Sequence, residues 1–517
     1  MGNTPARAKT SRRRDFASAP PGPGASPGAV ADPSSASEVS PGRGGSFRDA
    51  DPFAGNYHKV MLQGFHWRSC THGADGGPSW YAEVRSRVSA MRSLGVEALW
   101  LPPPSHSVSP EGYLPQRLFD LDTHYGTKEE LVALCADLRA AGIAPLADVV
   151  INHRCADTQD EHGRWRIFSN VTFPDGPVDS SVLGEGGGGE KASFDKSWGP
   201  WAIVKDDPHF DGEGASDTGD SFPPAPDLDH SNPRVRAELA AWLDWLRTDV
   251  GFEGWRFDYA RGYAARFAKE YVERTTGPSA LNVAEFWPEA SWEEGGVLAR
   301  CQDPMRQATC DWLDGAGGAL AAFDFGTKAV LQEAVRRVEY WRLADDRGKP
   351  PGLIGWWPQR AVTFIDNHDT GGSGQAAGAE QGRLKDGSEG YGQGHWRFPP
   401  EHRMAGYAYI LTHPGVPCLF WPHAMWAHDD AHAEAGAEIA ALCAVRRSAG
   451  VAADAEVKIL LAEADVYVAR ILGDAAELTV KLGPRYDMPE ALVPEEGHRW
   501  ELAASGHEYA VWSRPRE

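Results

Sequence analysis

Eight short apolar runs, separated by segments whose apolar residues recur every three or four positions, constrain this 517-residue chain more than any other feature. After Ser79, the spacing of Val84, Val88, Met91 and Leu94 predicts a helix, Gly95 stops it, and residues 96–101 read as a buried strand. The pattern then repeats. Thr127 and Glu130 form a capping box ahead of Leu131, Leu134 and Leu138, Gly142 ends that helix, and residues 143–151 are a long apolar strand. Asn232 and Pro233 open a third helix carrying Leu239, Trp242 and Leu246, Gly251 closes it, and residues 254–258 follow as a strand. Residues 59–65, 281–285, 321–325, 361–365 and 416–420 complete the eight. Strands alternating with amphipathic helices imply parallel β/α units, and eight of them predict a closed (β/α)8 TIM barrel.

Three segments fall outside that pattern. Residues 1–52 are dense in Pro, Gly, Ser and Ala, and the first fifty contain no Leu, Ile, Trp or Tyr, so they are expected to stay disordered. Their Arg- and Ser-rich, acid-poor start lacks the apolar core of a secretory signal and predicts an organelle address, with a plain cytosolic tail as the alternative. Between the third strand and the helix at Asn232, residues 153–231 are too long and too rich in Gly, Asp and Pro for a loop and read as an inserted subdomain. From residue 450 to 517, short alternating segments at 457–461, 466–471 and 478–482 predict a C-terminal antiparallel β domain. The barrel itself then comprises residues 53–152 and 232–449.

Composition narrows the function. A net charge of −22 argues against nucleic acid, and no apolar run is long enough to span a bilayer. The seven Cys are odd in number and include no C-x-x-C pair, which favours a reducing, intracellular compartment without a disulfide framework. The sequon at Asn170 is therefore discounted, and Gly184–Gly189 fits a G-x-G-x-x-G pattern without the strand and helix that nucleotide binding requires. Twenty Trp suit a partner with flat apolar faces, such as a neutral sugar, although most are expected in the core.

In a barrel of this kind the chemistry sits where strands end. Four such places carry polar residues: Asp148 to His153, Arg256 to Asp258, Glu285 to Trp287, and Asp366 to Asp369. Arg256 and Asp258, two apart on a strand, share a face, and the guanidinium is expected to keep Asp258 ionised as a nucleophile. Glu285, among Ala284, Phe286 and Trp287, is expected to hold its proton for donation. Two carboxyl groups of opposite protonation in one cleft are what glycoside hydrolysis needs.

These motifs resemble the α-amylase family, glycoside hydrolase family 13, and most closely its plant-type members, from about Tyr57 to Trp512. The resemblance implies endohydrolysis of α-1,4-glucosidic bonds in starch or another α-glucan by a monomer in plastid or cytoplasm. It implies Asp258 as nucleophile, Glu285 as acid/base and Asp369 as transition-state support. His153, Arg256 and His368 match substrate- and charge-positioning residues, Tyr113 the aromatic under the sugar at the cleavage point, and Trp287 the one on the leaving-group side. Asn152, Asp217 and Asp227 match side chains that bind calcium, with Gly262 as a carbonyl donor and Asp207 serving a neighbouring ion. Trp356 and Trp357 match a surface glucan site, and Tyr486 a second one whose usual His partner is Ser505 here. About twenty extra residues after Asp369 border the cleft and are read as an inert loop, with a mobile lid as the alternative. A glucan-binding protein without chemistry is one competing reading, and it predicts loss of an acid, whereas Asp258, Glu285 and Asp369 are all present; a debranching or transglycosylating member of the same family is the other, separable by products from linear and branched glucan.

Overall fold

The computed structural model describes residues 51–169, 197–371, 396–425, 430–492, 494 and 500–516. The tail to residue 50, the sequon, the Gly-rich stretch and the insert after Asp369 up to His395 lie outside the described residues.

All eight expected strands are found, and they close into one parallel ring: β1 (Met61–Gln63), β2 (Ala98–Leu101), β3 (Ala144–Val149), β4 (Gly254–Phe257), β5 (Val283–Ala284), β6 (Ala321–Phe323), β7 (Ala361–Thr363) and β8 (Val416–Phe420). Neighbours in sequence are neighbours in space, and β8 returns to β1, with Met61 opposite both Ala98 and Cys418. Nearly every strand residue is buried, because barrel strands are covered by helices outside and by side-chain layers inside. Each strand leads to helical structure: α1 (Trp80–Ser86) and α2 (Val88–Leu94), α3 (Lys128–Ala140), α4 (Pro233–Trp245), α5 (Ala265–Arg274), α6 (Asp303–Gly315), α7 (Phe325–Arg337), α8 (Arg403–Thr412) and α9 (Asp430–Ala449).

The local signals act as the sequence predicts. Thr127 and Glu130 form the reciprocal capping box on α3. The Asn232 side chain accepts from Arg234 N–H with Pro233 in the first turn of α4. Gly95 and Gly251 end their helices at φ +90° and +99°, a conformation in which a side chain would be strained. One difference is at Arg87, where the helix expected from Ser79 to Leu94 breaks into α1 and α2. The Asp51 carboxylate accepts from both terminal nitrogens of Arg360 at 3.0 and 2.8 Å.

Between β3 and α4 the chain leaves the barrel to form a small sheet of Thr158–Gln159, Trp165–Ser169 and Ser197–Trp198, then an Asp-rich loop. After α9 comes a five-stranded antiparallel sheet of β9 (Glu456–Ala462), β10 (Tyr467–Leu472), β11 (Ala476–Leu482), β12 (Glu501–Gly506) and β13 (Tyr509–Pro515), in the order β9-β10-β11-β13-β12.

Candidate active site

The barrel mouth opens into a cleft of about 930 Å³ lined by Tyr113, His153, Asp258, Glu285, Trp287, His368 and Asp369, with Trp67 and Trp396 beside them. Backbone pairing places the two central carboxylates. Asp258 N–H donates to Val149 O at 3.0 Å and Glu285 N–H to Phe257 O at 2.9 Å, so each acid continues its strand's ladder by one residue.

Arg256 lies beneath them, fully buried. Its Nη1 donates to Asp148 Oδ1 and Asp258 Oδ1, both at 2.7 Å, and its Nη2 lies 2.9 Å from Glu285 Oε2. One guanidinium therefore serves three carboxylates rather than Asp258 alone. Burial raises the pKa of Asp258 to about 7, with Arg256 pulling down and Asp148 and Asp369 pushing up. Burial likewise raises Glu285 to about 7, with Arg256 pulling down and the neighbouring Asp258 pushing up. The site cannot bear every negative charge, so a proton stays in it. The shorter Arg256 contact, 2.7 Å to Asp258 against 2.9 Å to Glu285, favours the charge on Asp258 and the proton on Glu285. Tyr259, at φ +45°, turns its N–H onto Glu285 Oε2 at 3.0 Å, a strained conformation held at the reacting centre.

His368 stacks on Tyr113 at 5.1 Å with rings within 7° of parallel, and Trp67 lies nearly parallel to both, 5.9 Å from Tyr113 and 6.1 Å from His368. Burial and Arg256 keep the His368 ring neutral, well below the usual histidine range. Gln63 Nε2, which can only donate, meets His368 Nδ1 at 2.8 Å, so the ring proton sits on Nε2, 3.4 Å from Asp369 Oδ2. His153 is also buried and neutral. Its Nε2 is 2.9 Å from Tyr113 O and its ring lies on Phe222 at 3.9 Å, so it fixes the loop that presents Tyr113.

Four groups to which the sequence assigned no role belong to this site, although Asp148 stood in one of the four strand-end places. Asp148 accepts from Trp100 Nε1 (3.0 Å), Tyr113 OH (2.8 Å) and Arg256, and so is the hub behind the cleft. Its position inside an apolar strand run was a visible signal. Gln63, at the end of β1, was equally placed by the strand-end rule. Trp67 and Trp396 gave none beyond being aromatic.

Below the cleft, Asn152 Nδ2 donates to Asp227 Oδ1 at 2.9 Å. A Cβ on Gly262 would lie 2.0 Å from Asn152 Oδ1, so that backbone is pressed onto the amide oxygen. Asp217 is near enough to Asp227 for their charges to interact. Two carboxylates, an amide oxygen and a carbonyl are hard oxygen donors of the kind calcium takes. Asp207 has other partners: its oxygens accept from His209, Phe210 and Asp227 N–H. Among the described residues no three His, Cys, Asp or Glu gather as a metal cluster.

The expected surface aromatics lie apart from the cleft. Trp356 and Trp357 are half-buried, with the Arg306 guanidinium 3.9 Å from the Trp356 ring. Tyr486 is 82% exposed with Lys481 Nζ 5.1 Å from its ring, and Ser505 is exposed on β12.

Family models match in two places: the α-amylase catalytic domain over residues 81–168 and the α-amylase C-terminal beta-sheet domain over residues 448–513. The chain is 39% identical to chloroplastic alpha-amylase 3 of Arabidopsis thaliana over 89% of its own length and 44% of that protein's. It is 37% identical to probable alpha-amylase 2 of the same plant over 88% of this chain and 94% of the relative. Among solved structures, an Anoxybacillus alpha-amylase superposes with a TM-score of 0.57 over 90% of this chain and 98% of that one, at 13% identity, which speaks to the fold.

Proposed function

The chain belongs to the α-amylase family, and from that premise we propose that it hydrolyses internal α-1,4-glucosidic bonds of starch and related α-glucans by retaining double displacement. The observation that carries this reading is that Asp258 and Glu285 are both held at the cleft floor by one Arg256 guanidinium, at 2.7 and 2.9 Å from its two terminal nitrogens. Two carboxyl groups held by the two terminal nitrogens of one guanidinium stand close together, which favours retention over inversion. Asp258 attacks the anomeric carbon while Glu285 gives its proton to the departing glycosidic oxygen. Glu285, now a carboxylate, then takes a proton from the water that displaces Asp258 from the sugar. Arg256 stays charged throughout and steadies Asp258 each time it is released. The neutral His368 Nε2–H and Asp369 face the sugar hydroxyls, and Tyr113 offers its ring beneath the sugar.

Soluble starch is expected to lose long chains first and to release α-anomers, read by optical rotation or NMR during the first turnovers. β-Anomers, or release from chain ends only, would overturn the assignment. The acid pair titrates as a unit, so kcat/KM is expected to follow a bell centred near pH ~7. Activity falls in acid as Asp258 gains a proton and in alkali as Glu285 loses its own. A profile flat on the alkaline side would remove Glu285 from the acid's role.

Asn152, Asp217, Asp227 and the Gly262 carbonyl would hold calcium, which when bound supplies charge neutralisation and a crosslink between the Asp-rich loop and the barrel. Chelation is expected to lower the melting temperature, and Asp227→Asn to abolish that response. An unchanged melting curve for the wild type in chelator would remove the calcium site. Asp207 serves as a backbone clamp for the same loop. Trp356, Trp357 and Tyr486 are weaker surface contacts for long glucans. The basic, Ser-rich tail and the chloroplastic relative support a plastid address, and the chain is taken to act as a monomer.

A further inference from the structure

Trp287 and Trp396 stand almost parallel, 11° apart with centroids at 6.2 Å, and Trp292 comes within 6.3 Å of Trp396. Both parallel indoles rest on the first turn of α7. Phe325 stacks under Trp287 at 4.4 Å, and Lys328, three residues on and so on the same helix side, meets Trp396. Lys328 Nζ donates to Trp396 O at 2.8 Å and to Gln332 Oε1 at 2.7 Å, and lies 3.6 Å from Asp366 Oδ1 and 5.4 Å from the Trp396 ring. Asp366 Oδ1 in turn accepts from Phe398 N–H at 3.1 Å and from Thr370 Oγ at 3.0 Å. One buried ion pair thus ties down the chain on both sides of residues 372–395, immediately after Asp369 and again at Trp396.

A lysine with no exposed surface is costly, and an apolar side chain of its size would pack there without that cost. Its retention calls for a task that needs its N–H groups. We propose that Lys328, with Asp366 as counterion, is a positioning residue that holds Trp396 in line with Trp287, so that the two indoles grip the sugars beyond the cleaved bond. This rests on the glucan-hydrolase reading above. Lys328 touches no reacting atom; it acts through Trp396.

Two substrates separate the contributions: a linear maltooligosaccharide that fills both sides of the cleft, and an aryl maltooligoside whose leaving group is a single nitrophenol. Wild-type turnover of both reports on the functional reading, and the ratio between them reports on Lys328. W396A and K328M are each expected to lower kcat/KM on the oligosaccharide about tenfold, chiefly through KM, while the aryl substrate changes less than about twofold. The double variant is expected to be no worse than W396A alone. D366N keeps one acceptor oxygen for Phe398 N–H and Thr370 Oγ but removes the counterion, and is expected to move the ratio the same way, so it carries the test if K328M does not fold. Equal losses on both substrates, losses that multiply in the double variant, or a W396A enzyme with an unchanged ratio would overturn the proposal.

Discussion

Glu285→Gln is expected to lower turnover of starch by about 10²–10⁴, the usual contribution of a positioned proton donor. The amide keeps the size of the side chain and an acceptor for Tyr259 N–H and Arg256, so the cleft and its affinity for glucan should survive. An α-glycosyl fluoride, whose leaving group needs no proton, separates the steps. Its first step should run at near wild-type rate and then stall, because no base remains to activate water. The alkaline limb of the pH profile should vanish with the carboxyl group. A variant that hydrolyses starch at close to the normal rate would end the assignment of Glu285.

Arg256→Leu should have the largest effect on stability. It leaves Asp148, Asp258 and Glu285 buried around an apolar side chain, and losing one partner of a buried ion pair costs about 3–5 kcal/mol. Each carboxyl then rises further in pKa and holds its proton. A lost neighbouring cation shifts an acid by about 1–3 units, so the ionised fraction of Asp258, and with it turnover, should fall by about 10–10³. The sign of the pH dependence is fixed. Carboxyls whose folded pKa lies above the unfolded value near 3.8 bind more protons when folded, so stability falls as pH rises from there through the folded pKa. The variant should therefore melt closest to wild type in mild acid and furthest from it at alkaline pH. A melting difference that does not change with pH would show that Arg256 acts through packing alone.

The barrel was legible because its strands are apolar on both faces and its helix ends carry strong local signals. The run at 416–420 became β8 without change, whereas 59–65 shrank to Met61–Gln63, since buried apolar residues beside a strand look like strand. In the C-terminal sheet, β12 was not anticipated: its sequence, Glu-Leu-Ala-Ala-Ser-Gly, lacks the β-branched and aromatic residues that mark strands, and it lies at the sheet's edge. At the site, Asp258, Glu285 and Asp369 were legible as polar residues at the ends of apolar runs. The sharing of Arg256 was not, because it depends on β3, β4 and β5 standing side by side. Gln63, Lys328 and Trp396 acquire meaning only through contacts between elements 38 to 305 residues apart, and no local pattern encodes those.

The ring of strands closes between its first member and its last, Met61 against Cys418. At about 5–20 residues per second, a ribosome needs on the order of 20–70 s to deliver β8 after β1 has emerged. Throughout that interval the nascent chain presents two unpaired parallel edges, the most adhesive surface a sheet can offer. Production of this protein in the cell is therefore set by protection of a half-finished cylinder, and messages truncated before Val416 should yield aggregates rather than smaller folded fragments.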